Sequence, residues 1–572
     1  MRPKLRSAVM TTAILASFSA TALASGPQTA GVLRVGSYNG VAGSYASIQE
    51  AVRAAHAGDW VLVGPGDYKE EGFPGMDEAA GVLIETAGVH LRGMNRNTVI
   101  IDGTKAGTPV CSAQKQDQTF TKDGMNGVVA FKVNGVSIEN LTTCNYLTGT
   151  GGGEGNEIWW NGGDGSGKIG MGRYWGDYLT ATSTYSNGVS NPRGEYGIFV
   201  SNAKGPGVID HSYGSNMGDA AYYIGACPDC NAILTRAHGQ FSALGFSGTN
   251  AGGHLIIENS EFDHNLIGAA PDSQNNDDAP SPNSGRCPNP NEISAVGTNS
   301  CSIWRNNFFH DNNNPNVPGA GTGGLAGNAP VGTGLALAGI EYHTVIHNRF
   351  ERNGSWGVLV TDLPDEEDPP KDVPGQNCNG GISILPTGAP AVGPLYSGGA
   401  LCYFQAFGND IRDNSFVGNA FYKNPGNADI AMFTLPHNPG NCFSGNTDPA
   451  GLTAYPPAPL LQSDLYACNR PSVGDLTLTP LQANCATHGL LFPCPDTPLT
   501  HYPQTSAVKL RMPRSQPTMP NPCKGVPANP WCPGGSASYS LAGAGVAATS
   551  ASAAWLVLGA AIVRKQRRLS VR

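Results

Sequence analysis

One short phrase, repeated down the middle of the chain, constrains the fold more than any other feature. It reads small polar residue, any residue, aromatic, two further residues, Asn. Six copies are His211-Ser-Tyr213-Gly-Ser-Asn216, Ser260-Glu-Phe262-Asp-His-Asn265, Asn306-Asn-Phe308-Phe-His-Asp311, Asn348-Arg-Phe350-Glu-Arg-Asn353, Asn414-Ser-Phe416-Val-Gly-Asn419 and Asn441-Cys-Phe443-Ser-Gly-Asn446. A degenerate copy stands at Asn140-Leu-Thr142-Thr-Cys-Asn145, and a weaker anchor at His238. The closest anchors are 24, 25 and 27 residues apart, which suits one coil of a solenoid; longer steps accommodate insertions. A unit this small buries its apolar face only against its neighbours, so the units must stack. Runs such as Tyr196-Gly-Ile-Phe-Val200, Leu255-Ile-Ile257 and Trp356-Gly-Val-Leu-Val360 are short, β-branched or aromatic, and bounded by Gly, Asn and Asp. The pattern predicts an all-β chain of short stacked strands, with helical periodicity nearly absent.

Within that pattern the Asn and aromatic columns are scaffold. Asn suits tight turns and tolerates left-handed backbone, and stacked copies form amide ladders beside an internal aromatic stack. One helix is signalled ahead of the repeats: Ser47 is its expected cap, Glu50 closes the capping box, and Gly58 ends it. The segments Ser47-Ile-Gln-Glu-Ala-Val and Gly58-Asp-Trp-Val-Leu-Val-Gly-Pro-Gly-Asp-Tyr68, with the Asn/Phe phrases, resemble exported right-handed parallel β-helix repeat proteins of the pectin-lyase-like class. The resemblance covers roughly residues 45 to 450. It implies a right-handed parallel β-helix with an N-terminal capping helix and long loop insertions. It says little of activity, since the class includes lyases, hydrolases, epimerases, tailspikes and adhesins.

The ends predict export and anchoring. Residues 1–24 carry Arg2, Lys4 and Arg6, an apolar stretch and Ala22-Leu-Ala24, as a signal peptide does; 25–44 lead into the fold. Residues 45–450 form the β-helix domain and 451–539 a Pro/Cys-rich stalk or cap. Residues 540–563 lack charge over a length that spans a bilayer, a C-terminal transmembrane helix, before a basic tail at 564–572. The expected location is therefore the cell surface, with the large domain outside. Without the signal and tail, 26 Lys/Arg face 43 Asp/Glu, a net charge of −17. Nucleic acid and acidic polymers are repelled unless calcium or a local basic patch intervenes, so neutral glycans are the easier ligand. The even total of 14 Cys fits an oxidising compartment. Cys227 and Cys230 form an expected local bridge, Cys287/Cys301 and Cys378/Cys402 staple insertions, and a further group falls between 442 and 532.

Insertions on one face of a solenoid build binding walls. The stretch 146–194 holds Trp159, Trp160, Arg173, Tyr174, Trp175, Asp177 and Tyr178, aromatic faces and polar grips of the kind that bind sugars. Asp277 and Asp278 in the 266–295 insertion are candidate acid and base for glycosidic cleavage. His264 beside Asp263 and His310 beside Asp311, each two residues after an anchor, are expected to share one register as further acid/base candidates. The Gly-His-Gly and Arg-x-Lys of polygalacturonase-like enzymes and the Arg-x-Pro-x-x-Arg of pectate lyases are missing from the mature chain. No resident cofactor or metal is expected, although the acidic run Asp362–Asp368 offers oxygen ligands of the kind calcium takes. The expected role is engagement of a polysaccharide or glycan. A lyase or glycoside hydrolase using loop carboxylates, and a non-catalytic adhesin or structural surface protein, stand as alternatives.

Overall fold

The computed structural model describes residues 30–164, 166–275, 300–319, 330–365, 381–384, 401–424, 426–434, 440–466, 502–503 and 506–535. The signal peptide, the 540–563 span, the basic tail, Asp277, Asp278, Cys287, Cys378 and the acidic run beyond Asp365 lie outside these residues. Among the described residues no helix is long and apolar enough to cross a membrane.

Most of the described strands stack into three long sheets in which every pairing is parallel, and the rest form three small antiparallel sheets beside them. The first sheet runs from Val32–Val35 to Cys442–Ser444, the second from Gly66–Tyr68 to Ser415–Val417, and the third from Ala80–Ile84 to Ala454–Tyr455. The chain visits the three in turn and then repeats, the parallel β-helix that the resemblance implies. Helix Ile48–Ala54 caps the first coil. Ser47 accepts from the Glu50 amide as expected, but the reciprocal carboxylate is Glu70, which takes Ser47 Oγ (2.9 Å) and the Ile48 amide. The helix ends at Ala54, and Gly58 lies beyond it at φ 85°, in the turn before the strand Trp60–Val63.

Side-chain alternation assigns one column of the second sheet to the core: Thr143, Ala181, Gly214, Gly239, Phe262, Phe309, Phe350, Phe416. The last four rings stack at 5.2, 5.0 and 5.0 Å. This corrects the phrase at 306–311. Asn306-Asn307 and Phe308-Phe309 are doubled, so the spelling fits in two registers, and the ladder selects the second: Phe309 is buried while Phe308 faces outward. Tyr213 and His238 also stand in the outward column, not in the stack. Phe443 pairs with Ile411 in the first sheet, because the five-residue spacing recurs on that strand as well.

The amide ladders are present, two of them long. Asn307, Asn348, Asn414 and Asn446 hydrogen-bond in series at 3.0, 3.1 and 3.0 Å. Asn265, Asn312, Asn353 and Asn419 do so at 3.1 Å each. In these coils the left-handed residue is the one before the ladder Asn: Asn306, His347 and Asp413 in one corner, His264, Asp311 and Arg352 in the other. Cys227–Cys230 is a disulfide, as expected. Cys111–Cys144 was not anticipated; it fastens the 103–118 loop to the strand Thr142–Cys144. Cys301, Cys402 and Cys442 are also bridged.

Residues 506–535 form a strap that returns along the wall of the helix. Its attachment is mainly through backbone. Asn216 gives Nδ2 to the Arg511 carbonyl (2.8 Å) and takes the Arg511 amide (3.1 Å), and Asn97 clasps Gln516 in the same two-point way (2.8 and 2.9 Å). Asn140 takes the Met519 amide and Asn316 the Ser506 amide. At the first coils Trp531 packs with Trp60, Leu62 and Met94, and the Cys523–Cys532 bridge closes this end. Replacing both Asn97 and Asn216 by Ala removes their four hydrogen bonds to the strap, about 1 kcal/mol each. We expect tryptic cleavage at Lys509, Arg511 and Arg514 to accelerate about tenfold or more, with far-UV circular dichroism unchanged.

Candidate functional site

The strap encloses a cleft of about 650 Å³ against the second sheet. Tyr213, His238, Gln240, Phe241 and His264 form its floor; Arg511, Met512, Arg514 and Gln516 line the other side. Tyr213, His238 and Gln240 reach one surface because outward columns alternate with the core column along each strand, while Phe241 and His264 stand in the left-handed corner just after it, each at φ 55°. Tyr213 and His238 are direct neighbours across coils, as are Ser215 and Gln240, and Gln240 and Asp263.

Asp263 sits just beneath, 4% exposed, and is fully engaged. Its Oδ1 lies 2.5 Å from His238 Nε2, its Oδ2 contacts His264 Nδ1, and Gln240 Nε2 donates to both oxygens (3.2 and 3.1 Å). Tyr213 donates its hydroxyl to Gln240 Oε1 (2.8 Å), which fixes the amide's orientation. One coil on, His310 lies between two carboxylates, Nδ1 at 2.8 Å from Asp311 and Nε2 at 2.9 Å from Glu261. Arg352 holds Asp311 and Glu351.

Burial pushes the Asp263 carboxyl up, but hydrogen bonds from His238 and His264 outweigh it and hold it well below the usual range. Contact with His310 lowers Glu261 despite burial. For Asp311, burial opposes and the Arg352 and His310 contacts prevail, again lowering it. Asp263 in turn raises His264. Burial lowers His310, but Glu261 and Asp311 prevail and raise it. No carboxyl group of this cluster is thereby held protonated near neutrality.

The sequence candidates fare unequally. Asp263, His264, His310 and Asp311 come together, His264 on the cleft floor and the others beneath it or one coil on, although not in the register expected: Asp263, not His264, pairs across coils with His310. His264 and His310 still approach, their ring centroids 6.4 Å apart. The seven candidates of the 146–194 stretch do not converge. Trp160 and Tyr174 are in the core, and Trp159 faces out from the third sheet, stacked on Phe199 at 4.8 Å. Arg173, Trp175, Asp177 and Tyr178 lie on or beside the first sheet. Adjacent strand residues point to opposite faces, so Trp159 and Trp160 cannot form one platform. The residues missed are Tyr213, Gln240, Phe241 and Glu261, with Arg511, Met512, Arg514 and Gln516 of the strap. Glu261-x-Asp263 had a local signal, two acids sharing one strand face; the strap had none.

Asp177 and Tyr178 instead belong to a second polar group. Asp177 and Asp210 hold His211 (Nδ1 at 3.5 and 2.9 Å), whose ring stacks on Tyr178 at 4.6 Å. The contact with Asp177, then that with Asp210, raises His211 to about 9. The folded value exceeds the unfolded one of about 6.5, so this stabilisation is complete below pH about 6.5 and is lost as pH rises through 9. With about a third of the side chain exposed, solvent screening limits it to about 1 kcal/mol. Thermal melts from pH 6 to 10 should therefore fall more steeply for the wild type than for His211→Asn.

No family model matches the chain, and no curated protein matches it. Solved structures with overlapping coils include the A-module of the Azotobacter vinelandii mannuronan C-5 epimerase AlgE4, at 12% identity over 71% of this chain and 91% of that one, TM-score 0.38. The Aspergillus tubingensis endo-xylogalacturonan hydrolase overlaps at 11% identity over 74% and 94%, TM-score 0.36. Erwinia chrysanthemi pectin methylesterase PemA does so at 13% identity over 50% and 80%, TM-score 0.27. Overlaps this loose carry no argument about activity, so the functional reading rests on the cleft's own residues.

Proposed function

We propose that the chain engages a glycan in the cleft between the second sheet and the strap, and that this glycan is anionic. One observation carries the reading: the charged groups on the strap side are Arg511 and Arg514, and among the described residues no carboxylate lines the cleft. The acidic balance of the whole chain argued for a neutral ligand, but two permanent cations here supply the local basic patch that lets an acidic sugar approach. Gln240, Gln516 and Tyr213 add hydroxyl-binding groups, while Phe241 and Met512 offer apolar surface to sugar rings. The strap's backbone attachment leaves these side chains free to face a ligand.

Cleavage is the second reading, favoured by the contact between Asp263 and His264. Because Glu261, Asp263 and Asp311 are all held ionised, hydrolysis by one protonated and one ionised carboxylate lacks its acid here. An imidazole, His264, is the acid/base candidate. We further propose export and surface anchoring, on the strength of the apolar segments at the two ends.

Calorimetric titration with uronate-containing and neutral oligosaccharides of equal length tests the proposal. We expect binding of the acidic series only, weakened about 10- to 100-fold by Arg511→Gln with Arg514→Gln and by raised salt. The same samples should be assayed for new reducing ends and unsaturated products. Equal binding of neutral sugars, or indifference to the two substitutions, would refute the anionic reading.

A further inference from the structure

The polar cluster under the cleft gathers imidazoles and carboxylates from three adjacent coils. Neighbouring coils of a parallel β-helix lie about 4.8 Å apart, so outward residues on three coils share one small patch. His238 pairs directly with Glu261 across one step, and Asp263 with His310 across the next. Glu261 and Asp263 are two apart on one strand and face the same way. The imidazoles reach diagonally: His238 Nε2 to Asp263 Oδ1 at 2.5 Å, and His310 Nε2 to Glu261 Oε1 at 2.9 Å. One donor atom each from His238, Glu261 and Asp263 lies within 4.8 Å of the others.

We propose that His238, Glu261 and Asp263 form a binding site for one divalent transition-metal ion of the zinc class, with His310 positioning Glu261. Mixed imidazole and carboxylate donors match that class, whereas calcium takes oxygen ligands alone. The outer contacts are those that orient metal ligands. His310 turns its other nitrogen to Asp311, which Arg352 holds in place, and Asp263 takes Gln240 and His264 on its oxygens. Charge agrees: Glu261, Asp263, Asp311 and Glu351 face Arg349 and Arg352, so with neutral imidazoles the patch has a deficit that one dication cancels. His238 also lines the cleft, so an ion held there is reachable from it.

The competing arrangement is that protons alone join each imidazole to its carboxylate. The two are separated with the full chain, stripped with chelator and titrated with zinc chloride without any glycan. We expect about one tightly held zinc per chain by elemental analysis after gel filtration, and a higher melting temperature. His238→Ala and Asp263→Asn should each weaken binding about 100-fold, while His254→Ala, away from the cluster, should not. Should either variant fail to fold, cobalt(II) added to the wild type provides the readout, through visible absorption bands diagnostic of nitrogen and oxygen coordination. Zinc retained no better than by a chain lacking the cluster's imidazoles, or cobalt showing only the spectrum of the aquo ion, would overturn the proposal. A failure of glycan binding would leave the zinc result standing, since the metal is probed alone.

Discussion

Phe309→Ala should lower stability by about 3–5 kcal/mol, whereas Phe308→Ala, one residue away, should cost under about 1 kcal/mol. Phe309 is completely buried between Phe262 and Phe350, with ring centroids at 5.2 and 5.0 Å. Removing its ring opens a void in the middle of a stack, and the coils above and below cannot close it without breaking the amide ladders beside them. Phe308 faces outward, with Arg349 over its ring at 4.5 Å and His310 stacked at 4.0 Å, and its loss leaves the core intact. Urea or thermal unfolding of the two variants reads the difference directly. Equal costs would mean that the register of this coil is wrong.

The second large effect is expected at Glu139. Arg92 and Glu139 form a buried ion pair, 2% and 1% exposed, joined by a 2.6 Å bond from Arg92 Nε. The same guanidinium lies over the Trp60 ring at 4.6 Å and donates to the strap carbonyls of Pro522 and Lys524 at 3.1 and 2.7 Å. Glu139→Ala strands a buried positive charge, at a cost of about 3–5 kcal/mol. Because Arg92 also grips the strap, the damage should spread. We expect faster proteolysis after Lys524, and weaker ligand binding at Arg511 and Arg514 as the strap loosens. A stability loss without strap release would show that the two attachments are uncoupled.

These two sites show what the chain's pattern could and could not reveal. A repeated phrase with β-branched runs between its copies leaves few folds other than a stacked solenoid, so the architecture was legible. Register was not legible where the residues are doubled. At Asn306-Asn307 and Phe308-Phe309 the phrase fits twice, and only the hydrogen-bonded neighbours on the adjacent coils decide. The His/Asp half of the cleft was visible because those residues flank the aromatic anchors. Its other half comes from Arg511 to Gln516, about 250 residues later, and no local pattern ties that segment to His238. The aromatic stretch at 159–178 misleads for the opposite reason: composition suggests a platform, but strand alternation sends Trp160 and Tyr174 inward. Cys111 and Cys144 pair across 33 residues because a loop folds back, a closure that spacing does not announce.

The most direct test of the cleft as the ligand site is amide hydrogen exchange on the full chain, with and without a saturating uronate oligosaccharide. We expect added protection in 238–241, 261–264 and 506–516, and none around Trp159 and Phe199. Protection confined to the face that carries Trp159, with the strap unaffected, would contradict the cleft as the ligand site.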